Sequence, residues 1–196
     1  MATPSTPRRP SEARDRLIRV ASELFYREGI HSVGVDRLVA AAQVTRATFY
    51  RHFPSKEDLV LAYLQSEDAA IQGAFAAAEQ SGAEPRELVG LVIQAVADDV
   101  ERQHTRGCPF INAAAEYPDP SSPIRVRIAD HRKWFRSTLE HLMKAAELPD
   151  PAEKSRILVL LRDAAMVGGY LDGAQTIRPT FERTAREALA LDPQAA

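Results

Sequence analysis

The sequence contains little cysteine and no long apolar run, and these absences exclude several classes of protein. Its 196 residues include a single cysteine, Cys108, so neither an internal disulfide nor a four-thiolate zinc site can form. No stretch approaches the roughly eighteen apolar residues of a membrane helix, and residues 1–10 lack the apolar segment of a secretory signal. We therefore expect a cytoplasmic protein in a reducing compartment, without a membrane partner.

Catalytic signatures are also missing. The nine glycines are scattered and form neither a phosphate-binding glycine-lysine loop nor a dinucleotide fingerprint. His104 and Cys108 have the spacing of two metal ligands on one helix face, but no second pair of ligands accompanies them. Cys108 is open to two interpretations, a small buried apolar residue or a redox-sensing thiol. We expect no enzyme activity, no cofactor and no metal.

The charge distribution is uneven along a chain of ordinary globular composition. Apolar residues make up 45% and charged residues 27%, which is typical of a soluble globular protein. Residues 1–56 carry ten Lys/Arg against five Asp/Glu, a balance of +5, whereas the remainder carries 15 against 22, a balance of −7. A basic head on an acidic body favours polyanion binding by the head. The alternative is a basic exposed face without function.

Helical periodicity predicts the organisation of the first quarter. Residues 1–10 contain three prolines and are predicted to form a flexible arm. Ser11 is placed to begin an amphipathic helix that ends at Gly29, and a second helix begins near Val35. Thr45 begins a third helix, with its hydroxyl placed to cap the amide three residues on. Pro54 ends that helix, and Ser55 caps a fourth.

The remainder of the chain is predicted to be helical as well. A helix beginning at Pro85 carries an apolar stripe, and the proline-rich segment 118–123 is a loop. A long helix follows and ends near Pro149, the next one is apolar on more than one side, and the last spans 181–191. The apolar stripe of the helix that begins at Pro85 consists of Leu88, Leu91, Val92, Ala95 and Val96. No alternating strand pattern of useful length occurs, so the predicted fold class is all-α with about nine helices.

The segment 29–59 carries the strongest functional signal. Three short helices within about forty residues, the last two separated by a break of two or three residues, are typical of a helix-turn-helix, whose last helix enters the major groove of DNA. The third helix is rich in hydrogen-bond donors. Helical geometry places Ala47 and Arg51 opposite the stripe formed by Phe49 and Phe53, so a surface facing the groove can be named.

The same segment, GIHSVGVDRLVAAAQVTRATFYRHFPSKEDL, resembles the DNA-binding signature of the TetR family of bacterial repressors. Its most specific part is the ending, FYRHFPSKEDL, at 49–59. The resemblance covers about a quarter of the chain. It implies an arm at 1–10, a helix-turn-helix domain at 11–56 and a helical effector-binding and dimerisation domain at 57–196. Two positions depart from the family pattern: Gly34, where a phosphate-contacting threonine is usual, and Gln43, where the turn commonly has glycine.

The resemblance also implies roles for individual residues. Phosphate contacts would come from Thr45, Tyr50, His52 and Lys56. Base edges would lie nearest Arg46, Ala47, Thr48 and Arg51, because an arginine suits guanine O6 and N7. Further phosphate or minor-groove contacts would come from Arg8, Arg9 and Arg14 on the arm.

Candidate effector-binding residues lie in the helical body. Large aromatic and thioether side chains could line a pocket, and Asn112, Glu116 and His131 could fix a polar group of a ligand. An ordinary core is the alternative explanation for these side chains. The full set is Phe110, Asn112, Glu116, Tyr117, His131, Trp134, Phe135, Met143, Met166 and Tyr170.

The family resemblance implies a homodimer formed by the last two long helices. Gly168 and Gly169 would permit a close helix approach, and the wide apolar surface of the preceding helix needs a cover. Packing within one subunit would explain the same pattern. The candidate interface residues are Leu158, Leu161, Ala165, Gly168 and Gly169.

These observations together suggest a dimeric transcriptional repressor. It would bind double-stranded operator DNA at two half-sites about 34 Å apart and would leave the DNA when a small, apolar effector binds. An activator, or a regulator whose effector promotes DNA binding, is the alternative of the same class. A helical small-molecule-binding protein without a DNA function is the alternative of a different class.

Overall fold

The computed structural model describes residues 11–191, and within them the backbone forms nine α-helices and no strand. The all-α prediction is therefore confirmed. The helices are α1 (Glu12–Glu28), α2 (Val35–Ala41), α3 (Arg46–His52), α4 (Lys56–Gln80), α5 (Pro85–Arg102), α6 (Pro109–Glu116), α7 (Pro123–Ala145), α8 (Pro151–Gly168) and α9 (Ala174–Leu189), with a π-helical turn at Gly169–Gly173. None of these described helices is long and apolar enough to cross a membrane.

The first compact unit extends to Ser66 and contains α1, α2, α3 and the first turns of α4. Leu17 and Leu38 are fully buried in its core, and the rings of Phe25 and Tyr63 lie 5.9 Å apart. The sequence analysis divides the chain after residue 56. The structure divides it ten residues later, because α4 buries four side chains in this core: Leu59, Val60, Tyr63 and Leu64.

The second compact unit begins at Glu67, within α4. Helix α7 packs on α8, α8 packs on α9, and α9 packs on α5. Deeply buried apolar side chains come from four different helices, with Ile93, Met143, Leu158 and Leu189 as one example from each. The core of this unit therefore lies among α5, α7, α8 and α9.

Local capping explains several of the helix starts. The Ser55 hydroxyl accepts a hydrogen bond from the Asp58 amide at 3.1 Å, and the Asp58 carboxylate accepts one from the Ser55 amide at 2.9 Å. This reciprocal pair is a capping box, so the predicted role of Ser55 is confirmed. At the start of α7, the Ser122 hydroxyl accepts from the Arg125 amide at 3.2 Å.

Two helix boundaries differ from the sequence analysis. Helix α7 ends at Ala145, before Pro149, because Glu147 adopts a left-handed φ of 54° and the Leu148 amide donates back to the Met143 carbonyl at 3.0 Å. The last helix begins at Ala174, seven residues before Phe181, and includes Pro179. Its extra turns are held by Arg178, which forms ion pairs with Asp98 at 2.6 Å and Glu101 at 2.5 Å.

Candidate DNA-binding surface and effector cavity

Helix α3 has a side-chain cap at its start, and two phenylalanine rings, Phe49 and Phe53, anchor it to the core. The Thr45 hydroxyl accepts a hydrogen bond from the Thr48 amide at 3.1 Å, which is the cap that the sequence predicts. Phe49 is 0% exposed, and its ring centroid lies 6.1 Å from that of Phe53. Pro54 follows, where α3 has ended. The cap and the anchor fix which face of this seven-residue helix points outward.

The outward face of α3 carries donor side chains. Tyr50 is 48% exposed, Ala47 and Arg51 are exposed, and Thr48 is half-buried. Within residues 11–191, the Arg51 guanidinium makes no hydrogen bond or ion pair. Its five donors are therefore available to a ligand such as a guanine edge or a phosphate.

Arg46 lies on the same surface but is paired. Its Nε donates to Asp36 Oδ1 on α2 at 2.6 Å, and both side chains are exposed. An exposed ion pair contributes little to stability, so a DNA group can displace Asp36 at low cost.

Two predicted phosphate-contacting residues brace the first unit. Lys56 Nζ donates to the Ile30 carbonyl at 2.6 Å, and His52 Nε2 lies 3.2 Å from the Ser11 hydroxyl. The sequence analysis places Arg14 on the arm, and this placement is wrong. Arg14 lies in the first turn of α1, with its guanidinium 5.5 Å from the centre of the Phe53 ring. Arg8 and Arg9 lie outside the described residues.

The two positions that depart from the family pattern have distinct geometries. Gln43 has φ +52° in the turn between α2 and α3, a left-handed conformation that favours glycine. Gly34 caps α2 with φ −80° and ψ 162°, which any residue adopts, and a Cβ there would meet no atom within 4 Å. The glycine is therefore not required at position 34, whereas position 43 would accept one.

A cavity of about 820 Å³ lies within the second unit. Its walls are formed mainly by α4 and α5, with single side chains from α7 and α8. The apolar lining consists of Ala70, Ile71, Ala74, Phe75, Ala78, Leu91, Val92, Ala95, Val96 and Phe135, and the polar lining of Glu67, Gln94, Asp98, Asp99, Arg102, Gln103, His104 and Arg162. A volume of this size accommodates a small organic molecule.

Of the ten predicted effector-binding residues, only Phe135 lines this cavity. Phe110, Met143 and Met166 are buried in the core, and Tyr170 is exposed. Trp134 does not line the cavity itself. Its ring packs edge-on against the lining residue Phe75, with ring centroids 5.6 Å apart.

The predicted polar residues are occupied by partners within the unit. His131 stacks on Phe110 with ring centroids 3.7 Å apart and donates from Nδ1 to Asp68 at 2.7 Å. Burial lowers the pKa of His131 more than Asp68 raises it, so the ring is neutral at pH 7. Asn112 donates to the Arg106 carbonyl at 3.1 Å. Glu116 and Tyr117 are half-buried at the end of α6.

The sequence contains a signal for the lining that the sequence analysis did not use. Ala70, Ala74 and Ala78 recur every four residues on α4 and leave a row without large side chains. On α5, three residues of the predicted apolar stripe face the cavity: Leu91, Val92 and Ala95. The residues of α5 that are buried in the core include Val89, Ile93 and Ala97.

His104 joins the two walls at one end of the cavity. Its Nδ1 lies 2.6 Å from Asp99 on α5, and its Nε2 lies 3.4 Å from Glu67 on α4. Burial alone would lower the pKa of His104, but the two hydrogen-bonded carboxylates outweigh it and raise the pKa to about 9. The ring is therefore an imidazolium at pH 7. We call this group the His104 clasp.

Arg162 is a buried cation that lines the cavity near His104. Its side chain is 9% exposed, its Nη2 donates to Cys108 Sγ at 3.2 Å, and its guanidinium lies 5.8 Å from the Phe135 ring centre. His104 and Cys108 thus have separate partners. Among the described residues, no three His, Cys, Asp or Glu side chains lie where they could hold a metal ion.

The predicted dimer residues lie mostly inside the subunit. Leu158 and Ala165 are buried, and a Cβ on Gly169 would overlap Val100 Cγ1 of α5. Gly169 therefore permits a close approach within one chain. Four large apolar side chains of α8 and the following turn are exposed instead: Leu160, Val167, Tyr170 and Leu171.

Comparisons with known proteins agree with this architecture. Residues 17–63 match the model of the bacterial regulatory proteins of the tetR family, and residues 85–150 match that of the tetracyclin repressor-like C-terminal domain. A TetR-family transcriptional regulator from Streptomyces coelicolor has a solved structure that superposes with a TM-score of 0.86, at 43% identity over 91% of this chain and 95% of that one.

Two curated relatives are similar over shorter stretches. The transcriptional regulator TcmR of Streptomyces glaucescens is 37% identical over 38% of this chain and 36% of its own length. The transcriptional activator FasR of Mycolicibacterium smegmatis is 28% identical over 60% of this chain and 53% of its own length. The chain thus spans about a third to a half of the length of these two relatives. On the family models and the full-length structural match, the chain belongs to the TetR family of bacterial transcriptional regulators.

Proposed function

We propose that this protein is a transcriptional regulator that binds operator DNA through α3 and acts as a repressor that a small effector releases. The observation that carries the proposal is the outward face of α3, where Arg51 is exposed and unpaired among the described residues while Phe49 behind it is fully buried. A buried anchor with an unpaired arginine opposite is the arrangement that presents a guanidinium to a base edge.

The cavity supports the effector part of the proposal. An effector bound there would act as a switch if it favoured one of two conformations that differ in DNA affinity. A near-complete reversal requires a difference of about 5.5 kcal/mol in its binding to the two forms. The small, apolar effector of the sequence analysis would contact the apolar lining of α4 and α5.

The exposed apolar side chains support a homodimer. Leu160 and Leu171 are each 69% exposed, and together with Val167 and Tyr170 they form a surface that a second copy would cover. We propose this surface as the dimer interface in place of Leu158, Ala165 and Gly169, which are buried within the subunit.

The sign of regulation has a second candidate. The C-terminal family model is described as tetracyclin repressor-like, which supports a repressor. The relative FasR is named as an activator, so an activator is the alternative. A reporter gene behind a bound promoter, assayed with and without the protein, would distinguish the two.

Binding to selected DNA tests the proposal directly. Duplexes enriched from a random pool by the purified protein should bind the wild type far more tightly than the unselected pool does. Arg51→Ala should lose about 10- to 100-fold in affinity for the selected duplex, whereas Arg183→Ala, on an exposed position of α9, should not. Equal affinity for selected and random DNA would contradict a sequence-reading function.

A further inference from the structure

The effector cavity has one apolar end and one charged end. Helices α4 and α5 are joined by the short turn at 81–84, and both line the cavity. Ala78 and Leu91 lie towards the turn, whereas Glu67 meets His104 at the other end. At 1.5 Å per residue, the lined stretch of α4 from Glu67 to Ala78 is about 17 Å long. The cavity therefore suits an elongated molecule with one polar group.

The carboxylates at the charged end already have cationic partners. Asp98 pairs with Arg178 at 2.6 Å, and the His104 clasp engages both Asp99 and Glu67. These three side chains are about a quarter to a third exposed, so water also screens their charge.

The arginines at this end are less completely neutralised. Arg162 pairs with Asp163 at 3.0 Å, but the same carboxylate also accepts from Arg132 at 2.7 Å. One acid thus serves two guanidinium groups, and Arg162 is buried where charge is poorly screened. Arg102 lines the cavity and, within the part of the chain that the structure describes, makes no hydrogen bond or ion pair.

We propose that the effector is an amphipathic monocarboxylate, whose apolar chain lies along Ile71, Phe75 and Leu91 and whose carboxylate meets Arg102 and Arg162. A carboxylate accepts two parallel hydrogen bonds from one guanidinium, which an alcohol or amine head cannot do. The inference rests on the proposed function, in which this cavity is the effector site.

Three probes of equal chain length test the charge of the head group. Decanoate, decanol and decylamine are titrated at pH 7.5 into the full-length protein by calorimetry, with the fluorescence of Trp134 as a second readout. Trp134 is the one tryptophan of the chain and contacts Phe75 of the lining. Decanoate should bind at least tenfold more tightly than the other two. Equal binding of the three, tighter binding of decylamine, or no binding would overturn the proposal.

Two arginine variants locate the head group. Arg102→Gln should weaken decanoate about tenfold and leave decanol unchanged. Arg102 is exposed, so this variant should fold like the wild type. The Arg162→Gln variant is titrated in the same way as Arg102→Gln if circular dichroism shows that it is folded. Arg183→Gln, on α9, is the matched control. Equal weakening of decanoate and decanol by Arg102→Gln would overturn the placement of the carboxylate.

DNA binding is measured on the same samples and separates this inference from the proposed function. Failure of the wild type to prefer any duplex would contradict the regulator proposal while the decanoate titration still decides the ligand class. Conversely, selective DNA binding with preferential binding of decylamine would retain the regulator and overturn the carboxylate.

Discussion

The imidazole Nδ1 of His104 lies 2.6 Å from Oδ1 of Asp99, and the same ring reaches Glu67 on the neighbouring helix at 3.4 Å. One protonated side chain therefore links α4 to α5 beside the cavity. This link has a pH dependence that can be measured.

Alkaline pH should weaken the second unit through the His104 clasp. The folded pKa of about 9 lies above the ordinary value of 6.5, so the folded state holds the proton more tightly. The stabilisation is fully present below pH 6.5 and is lost as the pH rises through 9. Since the ring is 16% exposed, the effect should be at most about 3 kcal/mol. Urea unfolding from pH 6 to 10 measures it. A His104→Gln variant with the same pH profile as the wild type would contradict this assignment.

Gly169→Ala should destabilise the protein. The added Cβ would overlap Val100 Cγ1, and overpacking of this kind costs about 1–3 kcal/mol. Gly73→Ala on α4 is the matched control, because a Cβ there meets nothing within 4 Å. That change should be stabilising by about 0.5–1 kcal/mol. The midpoints of thermal unfolding of the two variants should move in opposite directions, and a neutral Gly169→Ala would refute the close approach.

Gln43→Gly should stabilise the first unit. A left-handed conformation costs a residue with a side chain about 1–2 kcal/mol, and glycine loses about 0.5–1 kcal/mol of this gain through its greater freedom in the unfolded state. A net increase of up to about 1 kcal/mol in the free energy of unfolding is expected. Gln43→Ala keeps the strain, so it should show no such increase. If both variants behaved alike, the strain at φ +52° would not be the cause.

Gly34→Thr should strengthen DNA binding. Position 34 has an extended backbone with open space around it, so threonine fits, and its hydroxyl can cap α2 and donate to a phosphate. Gly34→Val has the same shape without the hydroxyl and is the control. Fluorescence anisotropy on a selected duplex should give tighter binding for the threonine variant alone. Equal affinities for the two variants would exclude a hydroxyl contact.

Helix boundaries in the first unit could be predicted because their causes are local. The Thr45 and Ser55 hydroxyls each accept a hydrogen bond from an amide three residues later in the chain. Pro54 follows directly after the end of α3. The anchor Phe49 follows from the same periodicity. Most of the proposed DNA-contacting surface is therefore encoded within a segment of about fifteen residues.

The cavity could not be predicted in the same way because its causes lie far apart in the chain. An apolar stripe on a helix does not distinguish a core from a void, so the stripe that contains Leu91 and Val92 does not reveal which of its side chains face the cavity. The burial of Arg162 depends on Cys108, which is 54 residues away in the chain. The early start of α9 depends on ion pairs from Arg178 to α5.

The continuous helix α4 determines where the chain can be cut for study. A fragment that stops at Lys56 would remove Leu59, Val60, Tyr63 and Leu64 from the core around Phe25 and would expose the inner faces of α1 and α3 to water. A fragment that stops at Ser66 would keep those four side chains. Isolation of the first unit for solution spectroscopy should therefore include the first three turns of α4.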